Sequence, residues 1–393
     1  MILHGLIPLS FWPMLAVTLM LTHVTIVSVT IFLHRHQAHR ALSLHASASH
    51  FFRFWIWLTT ATVTKAWVAI HRKHHARCET PDDPHSPQVL GIGKVLFQGW
   101  MLYRREAGNS ETLDRFGAGT PDDWLERHLY SRFPNLGIAL MLILNLLLFG
   151  LAGVAIWAAQ MLWIPFWAAG VVNGLGHSLG YRNFETPDAS TNLWPIGIII
   201  GGEELHNNHH AYPASARLSY QWWELDIGWM YIRLLALLNL AEVKNVSCKA
   251  SIQADALNID LDTVKAVLRN RAHILSLYGR RVVTPAMRQE TAKYAGPERR
   301  LLRRIRPLLF REYVKADATV RQNFSRILDA NQVLATVYQF KQQLKAVWSD
   351  SPDSRDERLQ RLRIWCQQAQ QSGIPWLQHF ADILRGYRLQ PVH

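Results

Sequence analysis

The sequence predicts an all-α protein in two parts: a multi-span membrane helical domain over residues 1–240 with a cytoplasmic metal-binding cap, and a soluble cytoplasmic helical domain over residues 241–393. Three observations carry this expectation. Stretches free of Asp, Glu, Lys and Arg occur at 6–33 and 134–180; histidines gather in three tight clusters at the mouths of apolar runs; and beyond Glu242 the chain turns Arg-rich with helical spacing of its apolar residues. At 393 residues there is room for both parts. The 49% hydrophobic content and 16 tryptophans suit a chain that meets lipid, because Trp collects at membrane interfaces. The formal charge of +13 is not interleaved with any nucleic-acid-binding motif, so no nucleic acid is expected. Anionic membrane lipids, a phosphate-bearing substrate or an acidic electron donor are the expected partners of the basic surface.

Taken in order, residues 6–33 can cross about 30 Å of hydrocarbon once, with Pro8 and Pro13 at the start of the helix and His34 at its end. Residues 51–70 are apolar too, but a full crossing would put His39 and His71 on opposite faces of the bilayer. Arg53, Lys65 and three tryptophans suit a segment that lies in the interface or dips in and returns. Residues 71–133 are polar and hold nine Lys or Arg, which places this side in the cytoplasm. Thr120 and Pro121 read as a helix start, Thr capping and Pro opening the turn. The 47 uncharged positions at 134–180 fit two spans that turn around 160–165 and return to the cytoplasmic side at Asn173 and His177. Gly170, Gly174, Gly176 and Gly180 there permit close helix contact or leave space for a lipid chain. Residues 222–229 form an aromatic-rich stretch suited to headgroups. In 241–393, helical spacing appears at 255–268, 333–348 and 354–371, with Gly296 and Pro297 in a connecting turn; the job of this domain is not written in the sequence. The three cysteines, Cys78, Cys248 and Cys366, imply no disulfide framework, and Cys78 reads as a bystander thiol. The N-terminus lacks the basic region of a secretory signal, so its apolar run is expected to be retained.

The histidine clusters are His34 and His39; His71, His74 and His75; and His206, His209 and His210. Imidazole nitrogen binds Fe, Zn, Cu and Ni, so residue type alone does not choose the metal. One zinc ion takes three or four protein ligands, and eight histidines therefore point to two ions. In an H-x-x-H-H run on a helix the first and third histidines share a face and the second lies three from the first, so one turn can serve both ions. His34 and His39, five apart, stand about 140° apart on a regular α-helix and are expected to face different ions or to sit at a frayed end. Neutral nitrogen donors with few carboxylates suit a redox metal that handles O2, not magnesium or calcium. A single His-rich tract is as readily a solvated patch; three, each beside an apolar segment, read as functional. His36, His45, His50, His85 and His128 lack this spacing and read as ordinary histidines or, at most, partners of ligands.

With their surroundings, the clusters resemble the histidine boxes of the membrane fatty-acid desaturases, specifically the stearoyl-CoA-type Δ9 branch in a bacterial-like form. That family is marked by H-x4-H, H-x2-H-H and H-x2-H-H, which match His34 to His39, His71 to His75 and His206 to His210. The likeness extends to Glu79-Thr-Pro-Asp82-Asp83-Pro-His85, to Asn173-Gly-Leu-Gly-His177, and to Glu203-Glu204-Leu-His206, covering about residues 30–230. The resemblance implies two Fe ions held by His34, His39, His71, His74, His75, His177, His206, His209 and His210, with Asn173 reaching a metal through water. It implies O2 as co-substrate and insertion of a cis double bond, Δ9 by position, into a saturated acyl chain carried on CoA or on a membrane lipid. Arg104 and Arg105 sit where the family has basic residues near its substrate's phosphates, and read equally as a solvated rim. Glu79, Asp82, Asp83, Glu203 and Glu204 are candidate carboxylates to orient the imidazoles.

External electrons are needed. No G-x-G-x-x-G follows a strand, only Gly91-Ile-Gly93, so a separate ferredoxin, cytochrome or flavin reductase is expected as donor at the basic face. The expected location is the bacterial inner membrane, with the boxes and the C-terminus cytoplasmic. Two rivals remain at this point: a membrane di-iron alkane or lipid hydroxylase, and a non-catalytic membrane metal carrier or scaffold.

Overall fold

A computed structural model describes residues 5–253, 258–348 and 354–390. They are mostly helical, and the few short strands form three two-stranded pairings. The chain divides into two compact units, Met1–Arg182 with Asp188–Ser247, and Asn183–Pro187 with Cys248–His393.

In the first unit, helix α1 (Phe11–Ser28) runs without a break into a π-helical stretch, Val29–Ala38. The helix thus continues past the end of the apolar run at His34 and stops only at His39. Helix α2 (Ala46–Thr60) stops at Ala61, whose φ of 55° leaves the helical region, and α3 (Thr64–Arg77) carries the second histidine cluster. Helix α4 (Ile92–Ala107) follows, and then the uncharged pair α5 (Pro134–Phe149) and α6 (Leu151–Ile164).

The turn of that pair is not at 160–165. It falls at Gly150, where φ is 59°, a conformation glycine adopts without the Cβ penalty. Pro165 lies inside the continuing helix, at the start of π-helical Pro165–Val172; the wider turn absorbs the missing N–H that would otherwise break an α-helix. Among the described residues, two helices, Phe11–Ala38 and Leu151–Leu175, are long and apolar enough to cross a membrane, while Pro134–Phe149 and Ile227–Leu237 are apolar but shorter.

Glycine sets one close approach. Helix α4 lies against 165–172 so tightly that a Cβ on Gly99 would strike the Ala169 carbonyl, and one on Gly170 the Leu96 carbonyl. The expected helix start at Thr120 is displaced: Asp123 accepts the backbone N–H of Glu126 at 3.0 Å, while the Thr120 hydroxyl donates to the Gly117 carbonyl.

Buried Ile31, Phe32, Leu33, Phe52, Ile56 and Ile232 form this unit's main core. Within it Arg35, 1% exposed, donates to both oxygens of Asp226 and to the Gly201 and Ala216 carbonyls. Asp226 in turn caps α7 (Ile227–Leu237) by accepting from the Trp229 N–H. One buried ion pair therefore ties the π-helix to the chain beyond the third cluster.

The second unit has its own core, in which the Tyr278 ring meets Phe380 edge-on at 5.1 Å. Its helices include Leu261–Arg269, Gln332–Ala346 and Arg355–Gln371, the last opened by a Ser354 capping box. Residues 255–257 of the expected 255–268 helix lie outside the described residues. Gly296 and Pro297 do not form a connecting turn but open the helix Gly296–Phe310, a position where proline's fixed φ fits. Residues 248–393 carry 25 Lys and Arg against 13 Asp and Glu, so nearly all of the chain's excess positive charge lies there.

Candidate metal centre

Nine histidines converge in the first unit. His34 and His39 come from the π-helix, where the His39 N–H donates to the His34 carbonyl at 3.1 Å, an i to i+5 bond. The expectation that these two face different ions is overturned. In a π-turn five residues nearly close one revolution, so both rings project from one face and meet with centroids 4.9 Å apart. Helix α3 supplies His71, His74 and His75, the short helix His206–Ala211 supplies His206, His209 and His210, and His177 follows the turn after Asn173–Leu175.

The rings sort into two groups. The Nε2 of His39 lies 2.7 Å from that of His71, His34 Nε2 lies 3.1 Å from His209 Nε2, and His75 Nε2 lies 2.8 Å from His209 Nε2. These five make one group. In the other, His177 Nε2 is 3.2 Å from His74 Nε2 and 3.0 Å from His206 Nε2, which is 3.2 Å from His210 Nε2. His75 stacks on His210 at 4.4 Å, joining the two groups. The second cluster thus serves both, His71 and His75 on one side and His74 on the other.

Behind the rings stand carboxylates. The Nδ1 of His34 pairs with Glu203 at 2.7 Å, that of His74 with Asp83 at 3.0 Å, that of His177 with Glu79 at 2.9 Å, and that of His210 with Asp188 at 3.0 Å. A carboxylate that accepts a hydrogen bond from the Nδ1–H leaves the Nε2 lone pair free and fixes the ring's direction. These lone pairs point at one another across about 3 Å, an arrangement that accommodates a shared cation. Burial, reinforced by neighbouring imidazoles, holds His71, His75, His206 and His209 well below the ordinary histidine pKa and so neutral, the form that ligates. For His74 burial acts the same way, but Asp83, Asp188 and Glu79 outweigh it and raise the pKa. The donor set is all imidazole, with the carboxylates turned to Nδ1, which fits Fe, Zn, Cu or Ni and not magnesium or calcium.

Other candidates are placed variously. Asn173 is half-buried on the turn before His177. Arg104 and Arg105 are exposed in the last turn of α4, where cations also complement the helix dipole. Asp82 is exposed, and Glu204 accepts the N–H groups of Ile200 and Gly202, so neither orients an imidazole. The Cys78 Sγ lies 3.9 Å from His74 Nε2, but burial and then Asp188, Asp83 and Glu79 push its pKa well up, keeping it a thiol. His85 is buried and stacks on His74 at 4.4 Å, closer to the site than its spacing suggested. His36 bonds the Leu42 carbonyl, His45 caps α2, and His50 and His128 are exposed or partnered locally.

Asp188 was missed by spacing alone. A signal existed, since Glu-Thr-Pro-Asp occurs twice, at 79–82 and 185–188, and each copy yields one imidazole partner, Glu79 from the first and Asp188 from the second. Arg72, inside the second cluster, gave no signal by spacing either. It donates to the Gln37 and Ala38 carbonyls, pinning the last turn of the π-helix, and to those of Phe116 and Ala118.

Comparison with known proteins gives the family. The fatty acid desaturase family model matches residues 10–237, and a transposase model matches residues 266–390. An sn-1 stearoyl-lipid 9-desaturase of Anabaena variabilis is 31% identical over 243 residues, 61% of this chain and 87% of the relative. Delta-9 acyl-lipid desaturase 1 of Arabidopsis thaliana is 30% identical over 241 residues, 60% of this chain and 77% of the relative. An acyl-CoA 5-desaturase of Anemone leveillei is 32% identical over 217 residues, 54% of this chain and 65% of the relative. The chain belongs to the fatty acid desaturase family, with relatives that include Δ9 acyl-lipid desaturases, and is an oxidoreductase acting on acyl lipids.

Proposed function

We propose that the chain is an O2-dependent, di-iron desaturase that introduces a cis double bond, Δ9 by position, into a saturated acyl chain carried on CoA or on a membrane lipid. The observation that carries this is the facing of His74 Nε2 and His177 Nε2 at 3.2 Å, each ring backed at Nδ1 by its own carboxylate, Asp83 or Glu79. Two such rings aim two lone pairs at one point, as ligands of one cation do. The bound metal pair would supply the oxidising power to take two hydrogens from an unactivated acyl chain, which no side chain has.

The chain's own residues do the rest. The nine histidines, His34, His39, His71, His74, His75, His177, His206, His209 and His210, would hold the pair, with Asn173 near it through a water. Glu79, Asp83, Asp188 and Glu203 orient the rings. Apolar residues set which carbon reaches the centre, the orientation part of catalysis. The two electrons and two protons released with the two hydrogens, together with two electrons and two protons from outside, would reduce O2 to two waters. The donor would be a separate ferredoxin, cytochrome or flavin reductase that docks on basic surface. Arg104 and Arg105 would meet the substrate's phosphates.

We read the protein as multi-pass in the bacterial inner membrane, with α1 and the α5–α6 pair spanning and the histidines on the cytoplasmic side. Residues 1–240 would form the catalytic domain, and residues 241–393 a separate cytoplasmic helical domain. The test is expression in a host unable to make unsaturated fatty acids, supplied with a working electron donor, and location of double bonds by mass spectrometry. New Δ9 unsaturation that His74→Ala abolishes is the expected outcome. An unchanged lipid profile would defeat the reading, and a hydroxylated acyl chain would replace it with a hydroxylase.

A further inference from the structure

The two histidine groups are backed unequally. Behind the four-imidazole group stand three sheltered carboxylates: Asp83 on His74, Glu79 on His177 and Asp188 on His210. Each is itself held in place. Asp83 accepts the backbone N–H groups of Glu79 and His85, Glu79 accepts the Ala189 N–H and the Ser86 hydroxyl, and Asp188 accepts the Ser190 N–H. Behind the five-imidazole group only Glu203 plays this part, on His34. Among the described residues, the Nδ1 atoms of His39, His71 and His75 have no hydrogen-bond partner, and those of His209 and, in the other group, His206 are buried without one. Exposure does not divide the groups: His34, His74, His177, His206 and His209 are buried, and His39, His71, His75 and His210 are half-buried.

The geometry points to a metal pair held unequally: an ion among His74, His177, His206 and His210 that stays, and one among His34, His39, His71, His75 and His209 that exchanges. This rests on the metal reading above and goes beyond it. The anchoring makes the difference. A ring anchored at Nδ1 presents its Nε2 in one tautomer and one orientation, and losing one such anchor typically costs 10- to 100-fold in metal affinity. An unanchored ring must give up rotational freedom and its other tautomer when it binds. The fifth imidazole adds a bond to the exchanging ion but no anchor. Asp83, Glu79 and Asp188 are therefore positioning residues for one ion, and Glu203 for the other.

The test uses the full-length protein in detergent, loaded anaerobically with ferrous iron and mixed with an excess of a bipyridyl-type chelator, the coloured complex being followed with time. Release in two phases of one iron each is expected. Asp188→Asn should speed the slow phase by about 10- to 100-fold and leave the fast phase unchanged, and Glu203→Gln should do the reverse. If Asp188→Asn does not fold, as judged by its circular dichroism spectrum, Asp83→Asn makes the same test. Both irons leaving in one phase would overturn the inference, as would Asp188→Asn or Asp83→Asn speeding only the fast phase. Wild-type protein that binds no iron would overturn the metal reading itself, a result distinct from the other two.

Discussion

The His39 N–H donates to the His34 carbonyl five residues back, at 3.1 Å, and the two rings meet at 4.9 Å. That single π-helical bond sets the geometry of one histidine group. Were the segment a regular α-helix, the two rings would stand about 140° apart and could not share an ion.

Inserting one alanine after Gln37 tests this. The two histidines would then be six apart, about 120° from each other on an α-helix, so His39 should leave its group and cost one of two bound ions, with enzyme activity falling as far as in His39→Ala. Full metal content in the insertion variant, measured by elemental mass spectrometry, would show that the five-residue spacing is incidental.

The Arg35–Asp226 pair should matter for stability more than an ordinary ion pair. Both side chains are almost fully buried, and Asp226→Ala would leave the guanidinium uncompensated. A loss of about 3–5 kcal/mol is expected, read as a lower midpoint of thermal unfolding in detergent. A change of under about 1 kcal/mol would mean that Arg35 finds water or another partner.

Gly99 and Gly170 mark where α4 meets the helix that leads to His177. Gly99→Ala should cost about 1–3 kcal/mol by overpacking, and the strain should reach the metal group that contains His177. Unchanged unfolding and unchanged metal retention would show that the contact yields without cost.

In the second unit, Glu312 sits between Lys341 at 2.9 Å and Lys345 at 2.7 Å. Burial pushes its carboxyl pKa up, but the two lysines outweigh that and leave it below the ordinary 4.5. A carboxylate of depressed pKa adds stability that is fully present above the unfolded value and is lost as pH falls through the folded one. The protection of Gln332–Ala346 against hydrogen exchange in the full chain, corrected for the intrinsic exchange rate at each pH, should therefore be steady near neutral pH and fall below about pH 4.5. Lys341, whose pKa burial lowers more than Glu312 restores, stays charged in acid in both states and adds nothing to this loss. Glu312→Gln should flatten the acid response; an unchanged profile would contradict the assignment.

Much of this site was legible in the sequence because its chemistry is local. The i, i+3, i+4 spacing of His71, His74 and His75 reports a shared helical turn directly, and apolar runs 6–33 and 134–180 stand out by the absence of charge. What spacing could not report was any departure from 3.6 residues per turn. The π-helix at Val29–Ala38 reversed the reading of His34 and His39, and that at Pro165–Val172 moved a turn from 160–165 to Gly150. Partnerships across distant segments were equally hidden. Glu203 and Glu204 are adjacent and identical in type, yet one holds His34 and the other two backbone amides, a choice made by tertiary placement.

The most direct measurement is the iron content of the purified full-length chain from iron-replete cells, determined by elemental mass spectrometry against quantitative amino-acid analysis. Two irons per chain are expected in the wild type, and at most one in His74→Ala. A wild-type chain that holds no iron, or a His74→Ala variant that keeps both, would contradict the account.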